Sequence, residues 1–170
     1  MDEQVPANPE RDARFPGGSW TGFYLQYWMP GRHQMDLNLS WQDGGLTGEG
    51  RDRVGPFIID GTYDTATGQC EWTKKYIGKH SVKYRGVNDG RGIWGVWEIR
   101  QLGELYIDRG GFHIWPQGTN VSEASNQTEQ AVLTAMRAEF GQAPPCAVRA
   151  LFLLASAAAL AIFAWWRWAS

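Results

Sequence analysis

Two cysteines, Cys70 and Cys146, are the only thiols in 170 residues, too few and too far apart to read as a disulfide framework or a thiolate metal site. Histidine is as scarce. His33, His80 and His113 fall in three separate segments, with no HxxxH or HxH spacing, so no metal or other cofactor is expected. Gly48-x-Gly50 lies between strand-like segments rather than opening a helix, so it cannot cradle phosphate as a dinucleotide loop does. A strong charge balance is missing too: 16 Lys and Arg face 18 Asp and Glu, and no basic stripe runs beyond one hairpin, which argues against nucleic acid. The opening stretch, MDEQVPANPERDARFPGG, has no apolar core and does not read as a secretory signal.

Long hydrophobic runs are absent as well, with one exception. Residues 150–166 form an uncharged run of 17 between Arg149 and Arg167. At about 1.5 Å per residue it spans roughly 25 Å, close to the ~30 Å hydrocarbon core of a bilayer, and Trp165, Trp166 and Trp168 supply an interfacial ring. The expectation is a single-pass C-terminal membrane anchor whose partner is the lipid bilayer. With no signal ahead of it, the topology is tail-anchored, the folded part lies in the cytoplasm and both cysteines stay reduced. Ala155-Ser156-Ala157-Ala158-Ala159 would let two anchors approach closely, which allows a homo-oligomer.

What the chain has in quantity is glycine, tryptophan and tyrosine, at 21, 10 and 6 residues. Turn signals recur at Pro30-Gly31, Asp43-Gly44, Thr67-Gly68, Asn88-Asp89-Gly90 and Arg109-Gly110-Gly111. Between them apolar side chains alternate, as in Met35, Leu37, Leu39 and Trp41 against Asp36, Asn38, Ser40 and Gln42, the period of antiparallel strands with one wet face. Eight strands are predicted, over 19–28, 34–42, 45–52, 55–64, 69–77, 80–87, 92–100 and 104–115. An eight-stranded meander either closes or leaves two edges exposed, so the expected fold is mainly β, an antiparallel up-and-down barrel. Gly22, Gly48, Gly50, Gly61, Gly86 and Gly95 fall mid-strand, where a small barrel must bend or bring bulky rings together. Val132, Met136 and Phe140 then recur at helical spacing, which predicts an amphipathic helix serving as packing element, stalk or membrane-surface helix. The organisation expected is a flexible leader over 1–16, the barrel over 17–118, helix and linker over 119–145 and a transmembrane helix over 146–170.

The motifs Gly18-x-Trp20-x-Gly22-x-Tyr24, Gly45-Leu46-Thr47-Gly48, Ile59-x-Gly61-x-Tyr63-Asp64 and Trp72-Thr73-x-Lys75 resemble those of the avidin and streptavidin family in the same order. The resemblance continues through Tyr76-x-x-x-His80-Ser81, Tyr84-x-Gly86 and Gly95-x-Trp97. It implies an avidin-like member of the calycin superfamily that takes a small molecule in its open end, with Tyr24, Trp72, His80, Tyr84 and Trp97 as candidate contacts. Biotin is not carried over, because the first-strand positions that match the family's polar set read Phe23, Tyr24 and Gln26.

The densest polar cluster is Lys74, Lys75, Lys79, Lys83 and Arg85 around His80. It is read either as an anionic site for headgroups or acidic partner groups, or as a lysine-guarded hairpin face. The functional expectation is a membrane-tethered, non-enzymatic binding module for a small molecule or short peptide. The alternatives are an enzyme with His80, Tyr84 or His113 as acid or base, and a purely structural barrel.

Overall fold

The computed structural model describes residues 10–29, 31–101, 105–119 and 124–141. Eight antiparallel strands, β1 (Gly18–Gln26), β2 (Arg32–Gln42), β3 (Gly45–Asp52), β4 (Gly55–Tyr63), β5 (Gln69–Tyr76), β6 (Ser81–Asn88), β7 (Ile93–Gln101) and β8 (Leu105–Pro116), pair in sequence order. β8 pairs back onto β1 and closes the barrel. The strands fall within two residues of the ranges read from turn signals and alternation. The predicted span 146–170 lies outside the described residues, and among those described no helix is long and apolar enough to cross a membrane.

Alternation sorts each strand into an inner and an outer set. Met35, Leu37, Leu39 and Trp41 of β2 point into the core, with exposed or half-buried polar residues between them. Mid-strand glycines let the rings fit: a Cβ on Gly61 would lie 2.5 Å from that of Trp72, and one on Gly50 2.6 Å from the Phe57 ring. A larger residue at either place would force the wall apart.

The two ends of the barrel differ. At one end residues 10–16, expected to belong to a flexible leader, instead form a plug. Phe15 is fully buried against Trp41 and Tyr63, with ring centroids at 5.0 and 4.8 Å. The Pro16 carbonyl accepts from the indoles of Trp20 and Trp41, and Asn88 Nδ2 donates to the Arg14 carbonyl at 2.6 Å. The apolar Phe15 followed by Pro16-Gly17-Gly18 turns the chain over the rim and into β1, so burial of one ring orders the segment. The opposite end, where the turns at 53–54 and 77–80 lie, is left open by the described residues.

A helix, α1 (Ala124–Phe140), lies across the outside of the barrel. Beneath it runs a single row of paired residues, Arg32, Leu25, Gly111, Val96 and Arg85, one from each of β2, β1, β8, β7 and β6. The arginines at the ends of the row pair with Glu129 and Glu139 of the helix. Between them Val132 and Met136 bury against Phe23, Leu25 and Val96. α1 therefore crosses the strands rather than following them. Each buried apolar side chain contributes about 1.5–3 kcal/mol, whereas the two exposed ion pairs add little beyond direction. The expectation of one wet face per strand fails under the helix, because Phe23, Leu25 and Val96 point outward and are still buried.

Candidate functional site

Strands whose inner residues approach the open end place a ring of aromatic side chains around a half-open cavity of about 150 Å³. Tyr24 and Gln26 come from β1, Tyr76 from β5, Val82 and Tyr84 from β6, Trp97 and Ile99 from β7 and Asp108 from β8, with Val54 and His80 on the turns above. Of the five candidate contacts, Tyr24, His80, Tyr84 and Trp97 are brought together here. Trp72 is not among them. It lies one layer deeper, stacked on Tyr84 with centroids 5.2 Å apart and planes 8° apart, and edge-on to Phe112.

Two of the polar groups that line the cavity are tied to each other. Gln26 Nε2 donates to Asp108 Oδ2 at 2.8 Å. A carboxylate only accepts, so the amide nitrogen must face it, and Gln26 Oε1 is left as a buried acceptor without a partner among the described residues. The Trp97 indole donates to the carbonyls of Leu25 and Gly111 at 3.0 and 3.2 Å, which leaves its ring as what it offers to the cavity. His33 packs on Tyr24, and Arg53 lies 3.3 Å from its Nδ1. Arginine cannot accept, so Nδ1 accepts and Nε2 carries the proton, buried and without a partner among the described residues. Burial, then the nearby Arg53 charge, holds the His33 imidazole below its ordinary value.

Below the cavity sits a feature that sequence reading placed elsewhere. Lys74, grouped with the exposed basic cluster, points into the barrel with a side chain 1 % exposed, and its ammonium meets Asp52 Oδ2 at 2.5 Å. The Tyr76 hydroxyl donates to the same oxygen at 2.5 Å. The rings of Phe57, Tyr76, Tyr24 and Tyr84 surround the ammonium at 3.9, 4.9, 5.6 and 5.8 Å. Burial pulls the amine down to about 8, against the hydrogen bond and charge of Asp52. For Asp52 burial pushes upward, but bonds from Lys74 and Tyr76 outweigh it and hold the carboxyl below its ordinary value. Burial raises Tyr24 to about 12 and Tyr84 well above a free phenol.

The remainder of the basic cluster is divided as well. Lys83 and Arg85 lie on the outer wall, in register with Glu98 and Glu71, and Arg85 also pairs with Glu139. Only Lys75 and Lys79 stand exposed near the open end, where Lys79 Nζ donates to the Val54 carbonyl at 2.6 Å. His113, a candidate acid or base, is buried on the outer side of β8 between Phe23 and Trp115, and burial lowers it to about 4. It does not share the cavity with His80 and Tyr84. No group of three or more metal-ligating side chains gathers among the described residues.

No protein-family model, curated protein or solved structure matches this chain.

Proposed function

We propose that this chain is a membrane-tethered, avidin-like binding barrel, non-enzymatic, that takes a small ligand through its open end. The supporting observation is the asymmetry of the ends: Phe15 stoppers one, while the other holds a cavity walled by Tyr24, Tyr76, Tyr84 and Trp97. At about 150 Å³ the space is well below the roughly 300–1,000 Å³ of pockets for drug-sized molecules and near that of engineered cavities that hold benzene. The ligand that fits is one flat ring or short apolar group carrying an N–H or O–H donor. Its body stacks on the aromatic walls and its donor meets the Gln26 carbonyl and the Asp108 carboxylate. A short peptide would enter by a single side chain. Residues 150–166 hold the barrel at a bilayer, in the cytoplasm.

Native mass spectrometry of the full chain released from detergent, compared with its denatured mass, tests the reading. A small co-purifying mass is expected, and Val54→Trp, which fills the entrance from a turn, should abolish it. An identical mass in both states, with no change in tryptophan fluorescence across a panel of small aromatic amines and alcohols, would leave the barrel as a filled structural element.

A further inference from the structure

We infer that the open end of the barrel is a bilayer-docking face: Trp28, Met29 and Ile77 enter the interfacial layer of an anionic leaflet beside Arg53, Lys75 and Lys79, and the cavity opens toward the membrane. The inference rests on the anchoring by residues 150–166 proposed above, and adds an orientation and a second contact to it.

Four large apolar side chains among the described residues are exposed: Trp28 at 43 %, Met29 at 50 %, Ile58 at 48 % and Ile77 at 64 %. Three of them sit on turns at the open end, Trp28 and Met29 between β1 and β2 and Ile77 between β5 and β6. The fourth, Ile58, is in register with Lys75, two residues before Ile77. Arg53 and Lys79 are exposed on turns at the same end. The turns of the plugged end read Asp43-Gly44, Asp64-Thr-Ala-Thr-Gly68 and Asp89-Gly-Arg-Gly92, three aspartates and one arginine without a large apolar residue. Exposed tryptophan, methionine and isoleucine next to lysine and arginine is the composition that suits a headgroup layer carrying negative charge.

The exit of the chain selects the bilayer as occupant. The Tyr27 hydroxyl donates to the carbonyls of Phe140 and Gly141 at 3.2 and 3.3 Å, and the Trp28 ring stands edge-on to Tyr27 at 5.0 Å. The described fold therefore ends beside the apolar turn. Residues 142–149 separate it from the uncharged run, and eight residues at full extension reach at most roughly 30 Å. A strand of nine residues tilted by about 40° gives a barrel wall of roughly 23 Å. Presenting the plugged end to the membrane would spend most of the tether along that wall. Presenting the open end leaves it slack.

The test uses the full chain with Cys146→Ser, since Cys70 is buried and does not label. Met29→Cys, Ile77→Cys and, as a reference on the plugged end, Ala66→Cys are each labelled with an environment-sensitive nitrobenzoxadiazole dye and reconstituted into phosphatidylcholine–phosphatidylserine vesicles. Flotation establishes anchoring first. The expected result is a blue-shifted emission quenched by brominated lipid at 29 and 77, none at 66, and a smaller shift in vesicles of phosphatidylcholine alone. A chain that floats while 29 and 77 remain as solvent-exposed as 66 overturns the docking face and leaves the anchor standing. Shielded sites that crosslink to each other between copies make a second copy the occupant and also overturn it. A chain that fails to float removes the anchoring reading and this one with it.

Discussion

Lys74 and Asp52 meet inside the barrel across the full width of β4, 2.5 Å apart, with side chains 1 % and 0 % exposed. The Phe57 ring of the intervening strand lies 3.9 Å from the ammonium. Such a pair costs several kcal/mol of desolvation per ion and returns it only where geometry and further hydrogen bonds are good. Here Tyr76 supplies the second hydrogen bond to the same carboxylate oxygen. Tyr24, Tyr76 and Tyr84 each border both the ammonium and the cavity, so the ion pair fixes the floor on which a ligand would rest.

Breaking the pair from one side should be expensive. Asp52→Leu strands a buried ammonium, and denaturant unfolding should show a loss of about 3–5 kcal/mol. The double variant Asp52→Leu with Lys74→Met should recover most of it, because two apolar side chains of similar volume replace both charges. If the double variant is as unstable as the single, the pair contributes to stability in a way that desolvation arguments miss.

The same amine gives stability a dependence on pH. Lys74 is lowered to about 8 in the folded chain, against about 10.4 when unfolded, so between those values the unfolded state binds the extra proton and stability rises with pH. The size is about 3 kcal/mol over the window. Tyrosines whose pKa is raised by burial act in the opposite sense above pH ~10, where unfolded phenols ionise first. Asp52, held below the ordinary carboxylate value, contributes stability that is lost as pH falls through its folded value. Between pH 7 and pH 10 the unfolding free energy of Lys74→Met should fall relative to that of the native chain, because the variant lacks the amine's gain and keeps the opposing loss from the Cys70 thiol, raised by burial to about 12, and from the buried tyrosines. Parallel behaviour would mean that Lys74 keeps its ordinary affinity for protons.

The plug makes a separate prediction. Phe15→Ala empties the space between Trp41 and Tyr63 and frees the Pro16 carbonyl that two indoles share, at a cost of about 3–5 kcal/mol. Hydrogen exchange should quicken in the turns at 43–44 and 64–68 and leave those of the open end unchanged. A uniform increase would mean that the plug supports the whole barrel rather than one end.

Strand number, order and closure were legible because period-two alternation and regular turn signals both act locally, and a meander has one economical way to remove its edges. Lys74 was misplaced for a reason the sequence does contain. Cys70, Trp72, Lys74 and Tyr76 share the inner parity of β5, and grouping the lysines by proximity rather than by parity hid the buried one. The plug was hidden because one Phe ahead of Pro-Gly-Gly looks like leader, and only the cleft between Trp41 and Tyr63 gives it a place. Cavity residues such as Gln26 and Asp108 are 82 positions apart, and their meeting depends on the register in which β8 pairs with β1, which no local pattern records.

Gly111 sits midway along the row that α1 crosses, and its missing side chain is what lets the helix lie down. A Cβ there would come 2.3 Å from Val132 Cγ1 and 2.8 Å from Met136 Sδ, both fully or nearly buried. Gly111→Ala should therefore lift the helix, costing about 1–3 kcal/mol as overpacking does, while the barrel ladders remain. Amide exchange along Ala124–Phe140 should rise and the β-strand amides should keep their protection. Pairing the change with Val132→Ala removes the nearest obstacle, so the double variant should regain helix protection that neither single change retains. If Gly111→Ala leaves helix exchange untouched, the helix can shift along the Arg32–Arg85 row without losing its seat, and the glycine is there for the sheet rather than for the helix.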